Sequence, residues 1–381
     1  MPDPGRRDSS ASGSSTALED ADTSGYLPHV VAWNLTRRCN LACAHCYISA
    51  GSWHAADAEL STDECLRILE QVLEVNSSPM LILTGGEPLL REDIFDIAAY
   101  GTQKGLRMVM APNGTLITPQ VAERMKESGI ERISVSLDGA SAERHDGFRG
   151  VEGAFEGALS GIEAAKAAGI EFQVNTTITR LNRDEIPRIL ELAENLGAVA
   201  LHIFLLVPTG RGKYIVDQAI TAREYEEILN WFYDQRDQTR LQLKATCAPH
   251  YYRILRQRAR AEGRKVTYET HGLDAVTRGC LGGTSFCFIS HRGVVQPCGF
   301  LDLNCGDVTQ DSFAEIWRHS EIFQSLRNYD NLKGKCGACE YKSVCGGCRA
   351  RAYEATRAWL AQEPLCTYEP RKNARSRAGT G

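Results

Sequence analysis

Six short apolar runs recur over roughly residues 28–206, each divided from the next by a segment of helical period. They are VVAWNLT near 31–36, MLILT at 80–84, LRMVMA at 106–111, RISVSL at 132–137, FQVNTTI at 172–178 and AVALHIFLLV at 198–207. Between them, stretches such as TDECLRILEQVLEV and GAFEGALSGIEAAKAAG space their apolar residues as one face of a helix. Gly105, Gly129, Gly169 and Gly197 each close a helical pattern shortly before the next run, where a left-handed cap is wanted. Alternation of this kind, with strands apolar nearly throughout, predicts a parallel sheet covered by helices. Six strands are too few for a closed eightfold barrel. The expected fold is therefore α/β, a partial (β/α)6 TIM-like barrel with its chemistry at the C-terminal strand ends. Its open side would admit a large substrate.

The first run leads directly into CNLACAHC, which carries Cys39, Cys43 and Cys46. Three is the wrong number for paired disulfides and one short of a closed zinc site, with only His45 nearby as a fourth ligand. The polar N-terminal stretch lacks the apolar core of a secretory signal, so residues 1–25 read as a disordered tail and the chain as cytoplasmic. In that reducing compartment, 14 cysteines point to metal rather than disulfides. Thiolates suit zinc or iron–sulfur clusters. A 4Fe–4S cubane held by three cysteines would leave one iron open; the alternatives are loop cysteines without a role or a zinc site completed from a distance. The formal net charge of -5 argues against nucleic-acid binding, and no apolar run is long enough to span a membrane.

Beyond the barrel, expected over 26–240, residues 241–279 read as a helical linker and possible substrate-facing segment. Its arginines Arg253, Arg256, Arg258, Arg260 and Arg264 read as a solvated helix face. A cysteine-rich domain is expected over 280–370, with one helix at DSFAEIWRHSEIFQSLRN, followed by a flexible tail at 371–381. That domain holds Cys280, Cys287 and Cys298, and then CGACEYKSVCGGC with Cys336, Cys339, Cys345 and Cys348, followed by Cys366. These eight could fill two four-thiolate clusters, or two zinc ribbons, with Cys305 spare and Cys65 left to packing.

The three-cysteine loop at the first strand of a six-strand array resembles the radical S-adenosylmethionine (SAM) superfamily over residues 28–240. The resemblance implies a cluster on Cys39, Cys43 and Cys46 whose open iron chelates SAM, which one-electron reduction cleaves to a 5′-deoxyadenosyl radical. TGGEP (84–88), with Gly85, Gly86 and Glu87, falls where that family places SAM contacts, as do Asn113, Ser136, Asp138 and Asn175 at later strand ends. For all of these, ordinary turn chemistry is the alternative. The cysteine-rich segment looks like the SPASM extension, which holds auxiliary 4Fe–4S clusters. By that likeness Cys280, Cys287, Cys298 and Cys348 would hold the nearer cluster, and Cys336, Cys339, Cys345 and Cys366 the farther one. The last spacing of the run is two residues where the extension has three, which leaves the cross-over role of Cys348, and a single cluster instead of two, open.

TRGCLGGTSFCFISHRGVVQPCGFL, KATCAPHYYRI, FLLVPTGRGK and KGKCGACEYKSVCGGCRARAYEAT further resemble the tetrapyrrole-modifying members, most closely the haem b synthases of the sirohaem-dependent route. This implies oxidative decarboxylation of two propionates of an iron-porphyrin substrate, iron-coproporphyrin III, to vinyl groups, with an external one-electron reductant. An anionic macrocycle edge calls for cations, and Arg149, Arg211, Lys213 and Arg253 are the expected ones. Cys247, His250, Tyr251 and Tyr252 would face the ring, with His250 as an iron ligand; surface charge or core packing is the plainer reading of each. Rival expectations are the related enzyme making the dioxo-haem of nitrite reductase, a peptide-modifying SPASM maturase, and a non-catalytic iron–sulfur or zinc scaffold. Against the maturase stands the lack of an evident peptide-binding segment among the 38 residues before Cys39.

Overall fold

A computed structural model describes residues 25–55 and 59–371, so the expected tails at 1–25 and 371–381 lie almost wholly outside the described residues. The six apolar runs form β1 (Val30–Asn34), β2 (Met80–Thr84), β3 (Arg107–Met110), β4 (Arg132–Ser136), β5 (Glu171–Ile178) and β6 (Ala200–Leu205). Each pairs in parallel with the next. Between them run α1 (Thr62–Val75), α2 (Ile94–Gln103), α3 (Pro119–Glu127), α4 (Ala142–Arg149), α5 (Ala154–Ala167) and α6 (Ile186–Leu196). Gly105, Gly129, Gly169 and Gly197 all take positive φ, as the helix-end reading requires.

The sheet is wider than six strands. Beyond β6 lies β7 (Gln242–Thr246), and on the opposite edge β8 (Phe286–Ile289) pairs in parallel with β1. β9 (Val294–Gln296) and β10 (Gly306–Asp307) extend that edge antiparallel, giving ten strands in the order β10-β9-β8-β1-β2-β3-β4-β5-β6-β7. One hydrogen-bonded sheet thus runs from the barrel into the cysteine-rich segment.

Between β6 and β7 lies α7 (Ala222–Gln235), opened by a Thr221–Glu224 capping box. α8 (His250–Ala261) follows β7. Its arginines are only in part a solvated face, because α7 presents acids to them: Arg253 pairs with Glu226 at 2.5 Å and Arg258 with Asp234 at 2.5 Å. The helix expected near 311–328 is two, Phe313–His319 and Glu321–Arg327, broken where Ser320 turns extended (ψ 120°). The break brings the Trp317 and Phe323 rings within 5.1 Å of each other in the core. No helix among the described residues is long and apolar enough to cross a membrane.

Candidate functional site

β1 delivers the chain to the mouth of the barrel, and the three cysteines follow within one loop. Each sulfur accepts an N–H: Leu41 N donates to Cys39 at 3.4 Å, Ala50 N to Cys46 at 3.3 Å, and Arg149 Nη1 to Cys43 at 3.5 Å. Burial, reinforced by Glu87 and the two other thiols, pushes Cys39 up to about 12. Hydrogen-bond donors on all three sulfurs stabilise thiolates, the form that binds iron. The residues therefore fit a three-thiolate 4Fe–4S group.

The loop is clamped from three sides. Residues at the C-terminal end of α4 accept from it, Arg149 O from Ala42 N at 3.1 Å and Phe148 O from Ala44 N at 3.0 Å. Arg211 reaches in from the strand-end segment after β6, donating from Nε to Cys43 O at 2.7 Å and from Nη1 to Ala50 O at 2.5 Å. The GGEP turn closes the third side, with Gly86 N donating to Thr36 O and Glu87 N to Arg38 O, both at 2.8 Å. A Cβ on Gly86 would collide with Arg38 O. These glycines let the backbone of the segment leading into the cysteine loop approach closely.

The strand-end polar residues divide into two groups. Glu87 is fully buried and accepts from Asn113 N (2.7 Å) and Leu89 N (3.1 Å), while burial moves its carboxyl up to about 7. The Asn113 side chain bonds Asn40 and Thr115. Asp138, 1% exposed, pairs with Arg149 at 2.6 Å, faces His45 at 3.6 Å and accepts from Thr177 N. Burial alone would raise Asp138; Arg149 and His45 hold it below the usual carboxylate range. Burial takes His45 down to about 4, and its ring stacks on Phe148. Ser136 and Asn175 differ: they are register partners, Ser136 at the end of β4 and Asn175 within β5, and both are half-buried, with Asn175 Oδ1 accepting from Gln173 at 3.0 Å.

Of the remaining cysteines, Cys247, Cys280, Cys298 and Cys348 are electrostatic neighbours of one another, and another four line a common cavity. Burial raises the Cys247 thiol, and the neighbours adding to this are Cys348, Cys298 and Cys280. Cys298 in turn feels Cys280 and Cys348. Cys287 stands apart. It lies on β8 opposite Val31, fully buried in the main apolar core with Phe313 and Trp317, and among the described residues its thiol neighbour is Cys305. Cys247, expected to face a macrocycle, instead neighbours Cys280, Cys298 and Cys348 just after β7. It does so with φ +54°, an uncommon backbone for a non-glycine residue.

Cys336, Cys339, Cys345 and Cys366 line one small cavity together with His250, Arg253 and Tyr368. Backbone N–H groups of Glu363 and Tyr341 donate to Cys336 (3.3 Å) and Cys339 (3.4 Å). The two-residue spacing between Cys345 and Cys348 works because Gly346 and Gly347 are both left-handed (φ +73° and +65°). The chain turns sharply there, sending Cys345 to this cavity and Cys348 to the other group. Between the groups, Arg351 pairs with Glu363 at 2.8 Å and donates to Cys247 O at 2.6 Å, and Cys348 N donates to Glu363 at 2.7 Å.

The arginines expected on substrate are all engaged. Arg149 and Arg211 brace the three-cysteine loop, and Arg253 lies at the second cysteine cavity with its charge on Glu226. His250 is fully buried beside that cavity, and Tyr251 packs against Phe232. Lys213 is half exposed, 3.7 Å from Glu354. Nearby on the same segment Tyr214 and Val216 are exposed, as is Trp53, whose ring lies 5.7 Å from the Arg211 guanidinium.

Residues 33–193 match the family described as the radical SAM superfamily, and residues 280–348 match the iron–sulfur cluster-binding SPASM domain. The chain is 56% identical to the AdoMet-dependent heme synthase of Nitratidesulfovibrio vulgaris over 93% of its own length and 95% of that protein's. It is 52% identical to the enzyme of that name from Methanosarcina barkeri, covering 91% and 98%. A pre-heme d1 synthase from Dinoroseobacter shibae is 32% identical over 88% and 85%. Among solved structures, Streptococcus suis SuiB bound to precursor peptide SuiA superposes with a TM-score of 0.69 at 16% identity. That match covers 90% of this chain and 76% of SuiB.

Proposed function

The chain belongs to the SPASM-bearing radical SAM family of these AdoMet-dependent haem synthases, and from that premise we propose that it oxidatively decarboxylates two propionates of iron-coproporphyrin III to vinyl groups, forming haem b. Identity of 52–56% over more than nine-tenths of the chain carries this reading, against 32% for the pre-heme d1 synthase.

In this reading Cys39, Cys43 and Cys46 hold the SAM-binding cluster, which when loaded supplies a 5′-deoxyadenosyl radical on one-electron reduction. Arg149, Arg211 and the GGEP turn fix the loop, and Ser136 at the end of β4, with Asn175 beside it on β5, is placed to meet SAM. Cys247, Cys280, Cys298 and Cys348 hold one auxiliary 4Fe–4S cluster, and Cys336, Cys339, Cys345 and Cys366 another. Each propionate surrenders one β-hydrogen atom, carbon dioxide and one electron to become a vinyl group. When loaded, the centre on Cys39, Cys43 and Cys46 would supply the hydrogen acceptor, and the cysteine sets of the C-terminal segment would hold the group that takes the electron. The Arg351–Glu363 pair ties both auxiliary sets to the barrel, keeping donor and acceptor in fixed relation. The exposed rim of Trp53, Lys213 and Tyr214 is suited to a flat anionic macrocycle.

The test is anaerobic incubation of the reconstituted chain with SAM, dithionite and iron-coproporphyrin III. Mono- and divinyl products are expected. Deoxyadenosine without vinyl product would refute the substrate assignment.

A further inference from the structure

His250 opens α8, three residues after Cys247, and lies against the cavity of Cys336, Cys339, Cys345 and Cys366. It is 0% exposed, and neither ring nitrogen has a hydrogen-bond partner. Its ring meets Tyr225 edge-on at 4.7 Å, a contact that uses neither nitrogen. Arg253, one turn further along and lining the same cavity, is already occupied by Glu226, Gln257 and the Tyr368 ring. His250 is thus a buried donor and acceptor lining the same cavity as four thiols, with neither ring nitrogen hydrogen-bonded. A buried N–H without an acceptor is costly, and an aliphatic side chain would fill this place without that cost.

An acceptor of the right kind is supplied if the four thiols hold a 4Fe–4S cluster, the assignment made above on which this inference rests. We propose that one ring N–H of His250 donates to a sulfur of that cluster and raises its reduction potential, making it a better acceptor for the electron released in decarboxylation. Hydrogen bonds to cluster sulfur stabilise the reduced, more negative state. His250 is then a positioning residue, acting on the acceptor and never on the macrocycle.

The test uses the full chain carrying C39A/C43A/C46A, reconstituted anaerobically, so that only the auxiliary centres are read. EPR-monitored redox titration is compared for this background, His250→Ala and His250→Gln. Loss of the donor is expected to shift the reduced-to-oxidised ratio of one of two centres about tenfold at fixed poise, 59 mV for a one-electron couple. His250→Gln, which keeps an N–H, should shift it less. In chain labelled with 15N-histidine, pulsed EPR should show a nitrogen coupling to that centre that His250→Gln removes. Two centres with unchanged potentials in His250→Ala and no nitrogen coupling would overturn the proposal while leaving the cluster assignment intact. If the background binds only about four iron atoms per chain, the second cluster itself is absent and the proposal falls with it. If His250→Ala fails to load the cluster, the nitrogen coupling in the unmutated residue decides alone.

Discussion

Replacing Arg149 with Met removes one partner of the Asp138–Arg149 pair and the donor to Cys43. The charges lie 2.6 Å apart with Asp138 1% exposed. At an effective dielectric of about 20 their gross attraction is roughly 6 kcal/mol. Most of that offsets the cost of burying both ions, and the loss on removing one partner alone is about 3–5 kcal/mol because the other charge stays buried. At about 2 °C per kcal/mol for a domain of this size, R149M should melt roughly 6–10 °C below the parent. Calorimetry of the loaded chain under argon at one scan rate reads this. Asp138→Asn in the same chain removes the stranded carboxylate and should recover most of the loss. The Cys43 donor stays missing, so iron retention at the first cluster should remain impaired. The pair also carries a sign in pH. Asp138 is held below its ordinary range, so its contribution is present above about pH 4 and lost as pH falls through the lower folded value. Melting of R149M within about 1 °C of the parent, a small fraction of the loss expected from an orphaned buried charge, would refute the reasoning.

Cys247→Ser should lower bound iron by about four atoms per chain, the content of one cubane, whereas Cys287→Ala should keep all the iron and lose about 1 kcal/mol from a small core cavity; iron analysis with chemical denaturation separates them. Gly86→Ala drives a Cβ into Arg38 O, so SAM-dependent deoxyadenosine formation should be abolished while the auxiliary-cluster EPR signals persist. His145 is fully buried and accepts from Asp138 N at 3.1 Å, and burial takes it down to about 4. Its folded value is depressed, so the stability it contributes is present above about pH 6.5 and lost as pH falls toward 4. His145→Asn should flatten that fall by up to about 1.4 kcal/mol per pH unit, measured as melting temperature against pH.

Local chemistry made much of the fold legible. Strand runs, helix periods and the glycines at 105, 129, 169 and 197 are decided within a few residues of themselves. The three-cysteine loop was legible for the same reason, since one stretch holds all its thiols. β7 and β8 were not, because QLKAT and FCFI are short and acquire strand character only by pairing with β6 and β1. The same long-range register decides that Cys287 faces the apolar core, which nothing in its local sequence gives away. Arg149, Arg211 and Arg253 look like free cations in the sequence. Asp138, the cysteine-loop carbonyls and Glu226, which occupy them, arrive from elements distant in the chain.

The most direct measurement follows a propionate hydrogen. Iron-coproporphyrin III deuterated at the β-carbons of the reacting propionates is turned over anaerobically, and the deoxyadenosine is analysed by mass spectrometry. One deuterium in deoxyadenosine is expected for each vinyl group formed. Vinyl product accompanied by unlabelled deoxyadenosine would contradict it.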